Sequence, residues 1–527
     1  MKKFTLVMLL LLAASVSFSQ VREQYALAVK KLVFGPSGLI SQGPELQTGA
    51  EDSSSAAFSY SLKSIVTFEG TYYQTFYSNK LNGSNEKVFL RKSTDGVNWS
   101  PAVRVGDAPA DKSEYHSNTY VWKKAGITYA GVVYSDWRTA NPQIKFALST
   151  NGGNSFMPPV QVSSHNDNFN IFLGGIAGKG DTIMVNWVRQ YSGDRCDQTW
   201  FSRSVNGGVT WSPMAEAFAG NHYSFVTDIT MDPAGNAWVI TADDQFFRVN
   251  PVIRFTSNLG SVWETRTQIV DMPSGNTNTN NQMRFLNGKL YCIWTHTGTY
   301  ADSVNFSVSS NGGNSWRTKK VSDTDTITLV GSTFPTIHPS FSISDGGTIY
   351  AVWTDSREKH APLLDSSRLN IYLSRSTNDG LTWSPSIKIN GPSNYSRVLN
   401  AYPTVTIRSN GSTDSVLVAW NKYRNVLGPL TVTQISTITP SGFALEQNYP
   451  NPFNPVTNIN FSIPKSGNVT LKIFDAAGRE VGEPVNRLMN AGTYSVSLNA
   501  AELGSGVYFY RLEAGEFAET KKMILVK

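Results

Sequence analysis

The sequence predicts an all-β protein in two parts, a large radial or stacked array of repeated blades and a small β-sandwich after it. Three observations carry that prediction. A short turn sequence recurs six times, apolar strand segments recur seven times, and the composition changes near Ser441. The fullest turns are STNDGLTW (Ser376 to Trp383), SVNGGVTW (Ser204 to Trp211) and SSNGGNSW (Ser309 to Trp316), with STNGGNSF (Ser149 to Phe156) and TSNLGSVW (Thr256 to Trp263) as variants. The first, STDGVNW from Ser93, is one residue shorter. The closing aromatics Trp99, Phe156, Trp211, Trp263, Trp316 and Trp383 stand 57, 55, 52, 53 and 67 residues apart, a period that belongs to repeat arrays. In each turn the Asn or Asp side chain is expected to accept backbone N–H groups while Gly takes a positive φ. The aromatic is expected to anchor the hairpin between sheets.

The strand segments end at corresponding positions: TYYQTFY at Tyr77, YAGVVY at Tyr134, IMVNW at Trp187, AWVI at Ile240, LYCIW at Trp294, IYAVW at Trp353 and VLVAW at Trp420. Each is rich in β-branched and aromatic residues and reads as a buried or half-buried strand. The first six lie upstream of a turn, so each unit reads strand 2, strand 3, turn, strand 4. The seventh offers only YPTVTIRS, SVLVAW and LTVTQIST, without a turn or fourth strand. The segment before Phe58, with QYALAVKKLVF, is therefore expected to supply the missing strand and close a ring of seven blades, which removes exposed edges. Six blades are the alternative if the last three strands pair elsewhere.

The chain ends carry their own information. Lys2 and Lys3 precede an apolar run from Phe4 to Leu12, with Ser17 and Ser19 before Gln20, so residues 1–19 read as a secretory signal peptide. No later stretch approaches the ~18 apolar residues of a membrane-spanning helix. The blades are assigned to 20–440. From Phe443 to Lys527 come NYPNPFNP and the short strands TNINFSI, VTLKIFD, GTYSVSL, GVYFYRL and TKKMILV, the pattern of a sandwich.

The turn pattern SxDxGxTW resembles the Asp box of the sialidase-like β-propellers, and this resemblance implies a propeller; the strand segments count seven blades, and six, the number usual in sialidases, is the alternative. It implies no chemistry, because the box is a structural turn. NYPNPFNP, DAAGREV, LGSGVYFYRL and the closing TKKMILVK resemble the C-terminal sorting domain of type IX secretion substrates, an Ig-like β-sandwich. That likeness implies the type IX machinery as partner and export through the periplasm across the outer membrane, to the cell surface or the medium.

The formal charge of +6 is spread thinly. Residues 443–527 balance eight basic against eight acidic side chains and the signal holds two lysines, leaving about +4 on the blades. No basic run or aromatic platform points to nucleic acid. Cys196 and Cys292 should lie a blade apart, so a disulfide is not expected, and no CxxC or HExxH suggests a metal. No cofactor is expected.

Chemistry is best placed at the far ends of the strand 2 segments, opposite the turns. Two residues past the aligned position come Asn79, Asp136, Arg189, Ala242, His296, Asp355 and Lys422. Four past come Leu81, Arg138, Tyr191, Asp244, Gly298, Arg357 and Arg424. One reading is a pocket in which Arg138, Arg189, Arg357, Arg424 and His296 hold an anionic glycan, with Asp136, Asp244 and Asp355 as candidate acid or base groups. The other is that Asp136 with Arg138, and Asp355 with Arg357, are repeated ion pairs between loops. His116, His222 and His338 fall near blade starts, and Tyr191, Tyr223 and Tyr423 could stack on sugar rings. Catalytic sialidases carry an early FRIP-type arginine motif, which is missing from the first blade; VIRF (Val252 to Phe255) lies in blade four inside a strand. The expected function is binding of a glycan or surface polymer through this face. A glycoside hydrolase and a protein-binding adhesin are the alternatives.

Overall fold

A computed structural model describes residues 23–47, 57–58, 64–78, 85–139, 141–165, 170–190, 198–218, 227–244, 249–264, 267–270, 277–297, 302–323, 339–355, 357, 368–391, 398–425, 432–436, 438–476, 478, 480–500, 503 and 505–526. Residues 1–19, read from the sequence as a signal peptide, lie outside them. All regular structure among the described residues is β, divided between two compact units: 25–391 with 400–422, and a second that contains 423–527.

The first unit is a β-propeller built from antiparallel four-stranded sets, each in sequential order from inside to outside. The first set runs Ile65–Phe68, Thr71–Ser78, Lys87–Ser93 and Val103–Arg104, with Ala57–Phe58 extending its inner edge. The second runs Glu114–Lys124, Ile127–Asp136, Gln143–Ser149 and Val160–Gln161. The third is Asn170–Lys179, Thr182–Gln190, Gln198–Ser204 and Ala215–Phe218, and the fourth Asp228–Met231, Ala237–Asp244, Val249–Thr256 and Thr267–Gln268. The fifth is Thr277–Leu286, Lys289–Thr297, Asp302–Ser309 and Arg317–Lys320, and the sixth Ser340–Ile343, Ile349–Asp355, Arg368–Ser376 and Ile387–Lys388.

The last set joins both ends of the chain. Val398–Asn410 and Thr413–Asn425 are followed outward by Glu23–Gly35 and then Gly38–Gln47. QYALAVKKLVF therefore supplies a strand as expected, but as the third, and the residues after it supply the fourth. LTVTQIST does not: Val432–Ser436 pairs instead with Gly492–Asn499 of the second unit. The physical reason is that the N-terminal hairpin brings two adjacent strands with a buried stripe, Leu27, Ala28, Val29, Leu32 and Phe34, and leaves no vacant position. Apolar clusters tie the sets together in order around the ring. One joins Tyr73, Leu90 and Val105 to Val132 and Tyr134; another joins Ile371, Leu373 and Val352 to Trp420, Val418 and Phe34. The ring closes where Val29, Leu417 and Ala419 pack on Ile65 and Tyr72. Between the innermost strands the link there is polar: Ser64 Oγ lies 3.1 Å from Thr404 Oγ1 and Thr67 Oγ1 2.8 Å from Thr406 Oγ1.

The six boxes share one hydrogen-bond scheme. The Ser or Thr hydroxyl donates to the Asn or Asp side chain two residues on, at 2.8–2.9 Å from Ser93, Ser149, Ser204, Thr256, Ser309 and Ser376. The same hydroxyl accepts the N–H of a glycine, Gly96, Gly153, Gly208, Gly260, Gly313 or Gly380, at 2.8–2.9 Å. That glycine has positive φ, +89° at Gly208, yet conformation is only half of its role. A methyl carbon placed on Gly208 would overlap the Phe146 ring, on Gly260 the Phe201 ring, and on Gly313 Ile253, each a residue on the third strand of the preceding set. The closing aromatic lands on the same neighbours: Trp211 meets Phe146, Trp263 meets Phe201 and Trp383 meets Phe306, all with centroids 5.2 Å apart. The box is thus an inter-blade fastener, which explains why it recurs irrespective of chemistry.

In the second unit, Ala444–Leu445, Val456–Ile463 and Gly492–Asn499 form one sheet with Val432–Ser436, and Glu480–Met489, Gly467–Asp475, Gly506–Ala514 and Phe517–Leu525 the other. Strict alternation in TNINFSI and VTLKIFD turns Ile459, Phe461, Val469, Leu471 and Ile473 into a common core. NYPNPFNP is stitched to the last two strands: Phe453 is buried, its N–H donates to Ile524 O at 3.0 Å, and Asn448 N–H donates to the Tyr510 hydroxyl at 2.8 Å.

Candidate functional site

The residues singled out from the sequence lie at strand ends, and their geometry separates them into groups. Asp136 closes the strand Ile127–Asp136 and is 2% exposed. It accepts the Arg138 backbone N–H at 2.9 Å and Arg138 Nε at 2.7 Å, and Lys145 Nζ lies 3.2 Å away. Arg138 also bonds Asp107, which follows the outermost strand of the preceding blade. The sixth blade repeats this. Asp355, fully buried, accepts Arg357 N–H and Nε at 2.8 Å each and Arg357 Nη2 at 2.5 Å. Arg357 Nη1 reaches Asp323 Oδ1 at 2.7 Å and Ser386 Oγ at 2.9 Å, with its guanidinium 4.1 Å from the Tyr372 ring centre. Asp323, like Asp107, follows an outermost strand of the blade before.

An aspartate at a strand end can accept the backbone N–H of the arginine two residues on together with that arginine's side chain, so the D-x-R spacing makes a closed loop of three hydrogen bonds. The arginine then spans to the next blade. Burial pushes Asp107 and Asp323 upward, but Arg138 with Lys145 in one case, and Ser386 with Arg357 in the other, more than offset it and hold both carboxyls below the ordinary 3.8. The bridging aspartates were missed from sequence although a pattern marks them. RVGD (Arg104 to Asp107) and KVSD (Lys320 to Asp323) are parallel, and their valines donate N–H bonds to the third strand, Val105 to Val88 O at 2.9 Å and Val321 to Val304 O at 2.8 Å.

The remaining candidates are more varied. Arg189 is 8% exposed, with its guanidinium 6.0 Å from the Trp200 ring centre. His165 stacks edge-on against the same Trp200 and accepts Trp187 Nε1 at 3.0 Å; burial, aided by the Arg189 charge, pushes its pKa down to about 4. His296 is half-buried, its Nε2 has no hydrogen-bond partner among the described residues, and burial lowers its pKa. Lys422 Nζ contacts Glu45 Oε1 at 2.5 Å within the last set, and Glu45 Oε2 accepts Gly391 N–H at 2.9 Å, so Glu45 ties that set to the sixth while the lysine holds Glu45. His116, held at φ +47° with Nδ1 3.2 Å from Ser135 Oγ, is kept neutral by burial, with a pKa near 4. Asp244 ends its strand and Arg424 stands one residue before the end of its own, but their side chains lie outside the described residues, as does the Tyr423 side chain. Asn79, Leu81, Tyr191, Cys196, His222, Tyr223, Gly298 and His338 lie wholly outside them. Cys292 is buried with a free thiol that burial pushes upward.

VIRF is structural: Arg254 Nε, Nη1 and Nη2 donate to Glu264 O, Ala217 O and Trp263 O at 2.8–2.9 Å. Trp137 is the residue that sequence reasoning passed over. Half-buried beside Arg138, it donates Nε1 to Ser135 Oγ at 3.3 Å and packs edge-on against Tyr115, with centroids 5.8 Å apart. Among the described residues there is no group of His, Cys, Asp and Glu able to hold a metal ion, and no helix long and apolar enough to cross a membrane.

Residues 447–527 match the secretion system C-terminal sorting domain family. This type IX sorting domain marks the chain for export across the outer membrane, to the cell surface or the medium. No curated protein sequence matches the chain. Among solved structures it is similar to the phage phi92 endosialidase, at 12% identity and TM-score 0.36 over 84% of this chain and 67% of that one. The NanB sialidase from Streptococcus pneumoniae gives 13% and 0.35 over 84% and 68%. A polysaccharide lyase described as an ulvan lyase gives 10% and 0.34 over 60% and 89%.

Proposed function

We propose that this exported propeller binds a glycan or surface polymer through the face where the strand 2 segments end, without cleaving it. The observation that carries the reading is the pair Trp137 and Arg138. A half-exposed indole beside a guanidinium gives an apolar platform and a directed cation, the two elements that hold an acidic sugar ring. Arg138 spends Nε and Nη2 on Asp136 and Asp107, while Nη1 makes no hydrogen bond among the described residues. Arg189, Arg424 and His296 complete the binding set, and Arg357, with every nitrogen engaged, holds the rim in position.

Against hydrolysis stands the state of the carboxylates. Asp136 and Asp355 have side chains 1% and 0% exposed and committed to arginine, whereas an acid or base must reach substrate. Asp244 is the remaining candidate for the hydrolase alternative. A glycan array probed with the mature propeller, repeated with Trp137→Ala and Arg138→Ala, tests the reading. Both variants should weaken binding by about tenfold or more, and any bound glycan should survive incubation intact. Cleavage abolished by Asp244→Asn would replace the binder with the hydrolase.

A further inference from the structure

We infer a second saccharide site at the opposite end of the ring, in the crevice between the first and second boxes. It is independent of the strand 2 face. The crevice is open to solvent and offers about 710 Å³, a volume in the range of roughly 300–1,000 Å³ of small-ligand sites. It lies beside the one box that is a residue short, STDGVNW. Tyr73 and Trp99 line it with aromatic surface, and Lys92, Asn98, Thr128 and Asn151 with polar groups.

The chemistry of that lining is specific in kind. Apart from Ile127 and Gly152 the lining residues are hydroxyl-bearing, amide or aromatic, with a single lysine and no carboxylate. A polyhydroxylated ring fits such a surface, since its apolar face packs on an aromatic and its hydroxyls exchange hydrogen bonds with amides and hydroxyls. Lys92 is already fixed, donating to Gly152 O at 2.8 Å and Asn154 Oδ1 at 2.6 Å, so the site is preorganised across two blades. The lining offers no acid–base pair, so the crevice binds a neutral or anionic oligosaccharide and does not cleave it.

Contacts of the same kind as that of Lys92 cross other box junctions, and the one between the third and fourth blades leaves a smaller crevice of about 420 Å³. Arg203 donates to Leu259 O across the third and fourth blades, and Tyr291 and Lys289 both bond Asp379 across the fifth and sixth. The test uses the full mature chain on an array of neutral, uronic and sulfated oligosaccharides. Thr128→Trp, which fills the crevice, and Asn98→Ala, at an exposed position, should each weaken at least one array glycan about tenfold, while Arg138→Ala leaves that glycan unchanged. Hydrogen exchange should slow at residues 92–100 and 127–128 when it binds. If neither variant changes any affinity, if wild type binds no glycan, or if protection falls only at the strand 2 ends, the crevice is not a saccharide site.

Discussion

Arg357 shows how burial sets the size of an effect. Asp355 is fully buried, so Arg357→Ala strands an unpaired carboxylate and should cost roughly 3–5 kcal/mol of stability, far more than an exposed pair. Arg138→Ala should cost less, about 1–3 kcal/mol, because Lys145 remains 3.2 Å from Asp136. Urea unfolding of both variants measures the difference, and equal losses would remove the proposed role of Lys145. His116 and His165 make a separate prediction. Both are held neutral near pKa 4 by burial, against an ordinary 6.5, so the unfolded chain binds their protons first. Stability should therefore be complete above pH 6.5 and fall as the pH drops toward 4. In a His165→Gln, His116→Gln variant the unfolding midpoint should change less over that window. The aspartates Asp107 and Asp323, held below 3.8, lose their contribution only at still lower pH.

The box is the element whose meaning changed most between sequence and structure. Its spacing and turn residues were readable, but the reason for its last glycine was only half visible, since positive φ accounts for Gly and says nothing of the Phe146 ring beneath Gly208. The two contributions can be separated. Gly235, at φ +95° in the turn after Asp232, has nothing within 4 Å of an added methyl, so Gly235→Ala should cost only the left-handed strain, about 1–2 kcal/mol. Gly208→Ala adds an overlap with a packed ring and should cost about 3 kcal/mol or more. Thermal unfolding of the pair checks this; similar losses would reduce the box to a turn. The D-x-R loops were legible as residues and as salt bridges. Their partners Asp107 and Asp323 were not, because they lie 29 and 32 residues upstream on the previous blade, where only folding brings them near.

At the scale of the whole molecule, the ring depends on a strand pair drawn from its own beginning. Removing residues 20–47 leaves Thr413–Asn425 as an open edge and strips Leu32 and Phe34 from the cluster with Trp420. That variant should lose its single cooperative unfolding transition and self-associate, as gel filtration and urea unfolding would show; a monomeric, cooperative protein would contradict closure by this hairpin. Removing residues 432–527 takes away the sorting domain together with the strand that pairs to it. The propeller should then fold but remain in the periplasm, which fractionation of cells resolves.

The all-β class, the repeat, the buried strand aromatics Tyr134, Trp187, Trp294, Trp353 and Trp420, and the export domain were legible in the chain alone. These rest on local rules: alternation, turn chemistry and aromatic anchoring act over a few residues and leave their pattern in the chain. Folding settled that the N-terminal segment brings two strands to the last set, and that Val432–Ser436 belongs to the sandwich. It likewise decided that Asp136 and Asp355 are committed to arginine while Trp137 stands half-exposed beside Arg138. Strand partners far apart in sequence, and the exposure of a charged side chain, depend on which surfaces meet, and no local pattern encodes that meeting.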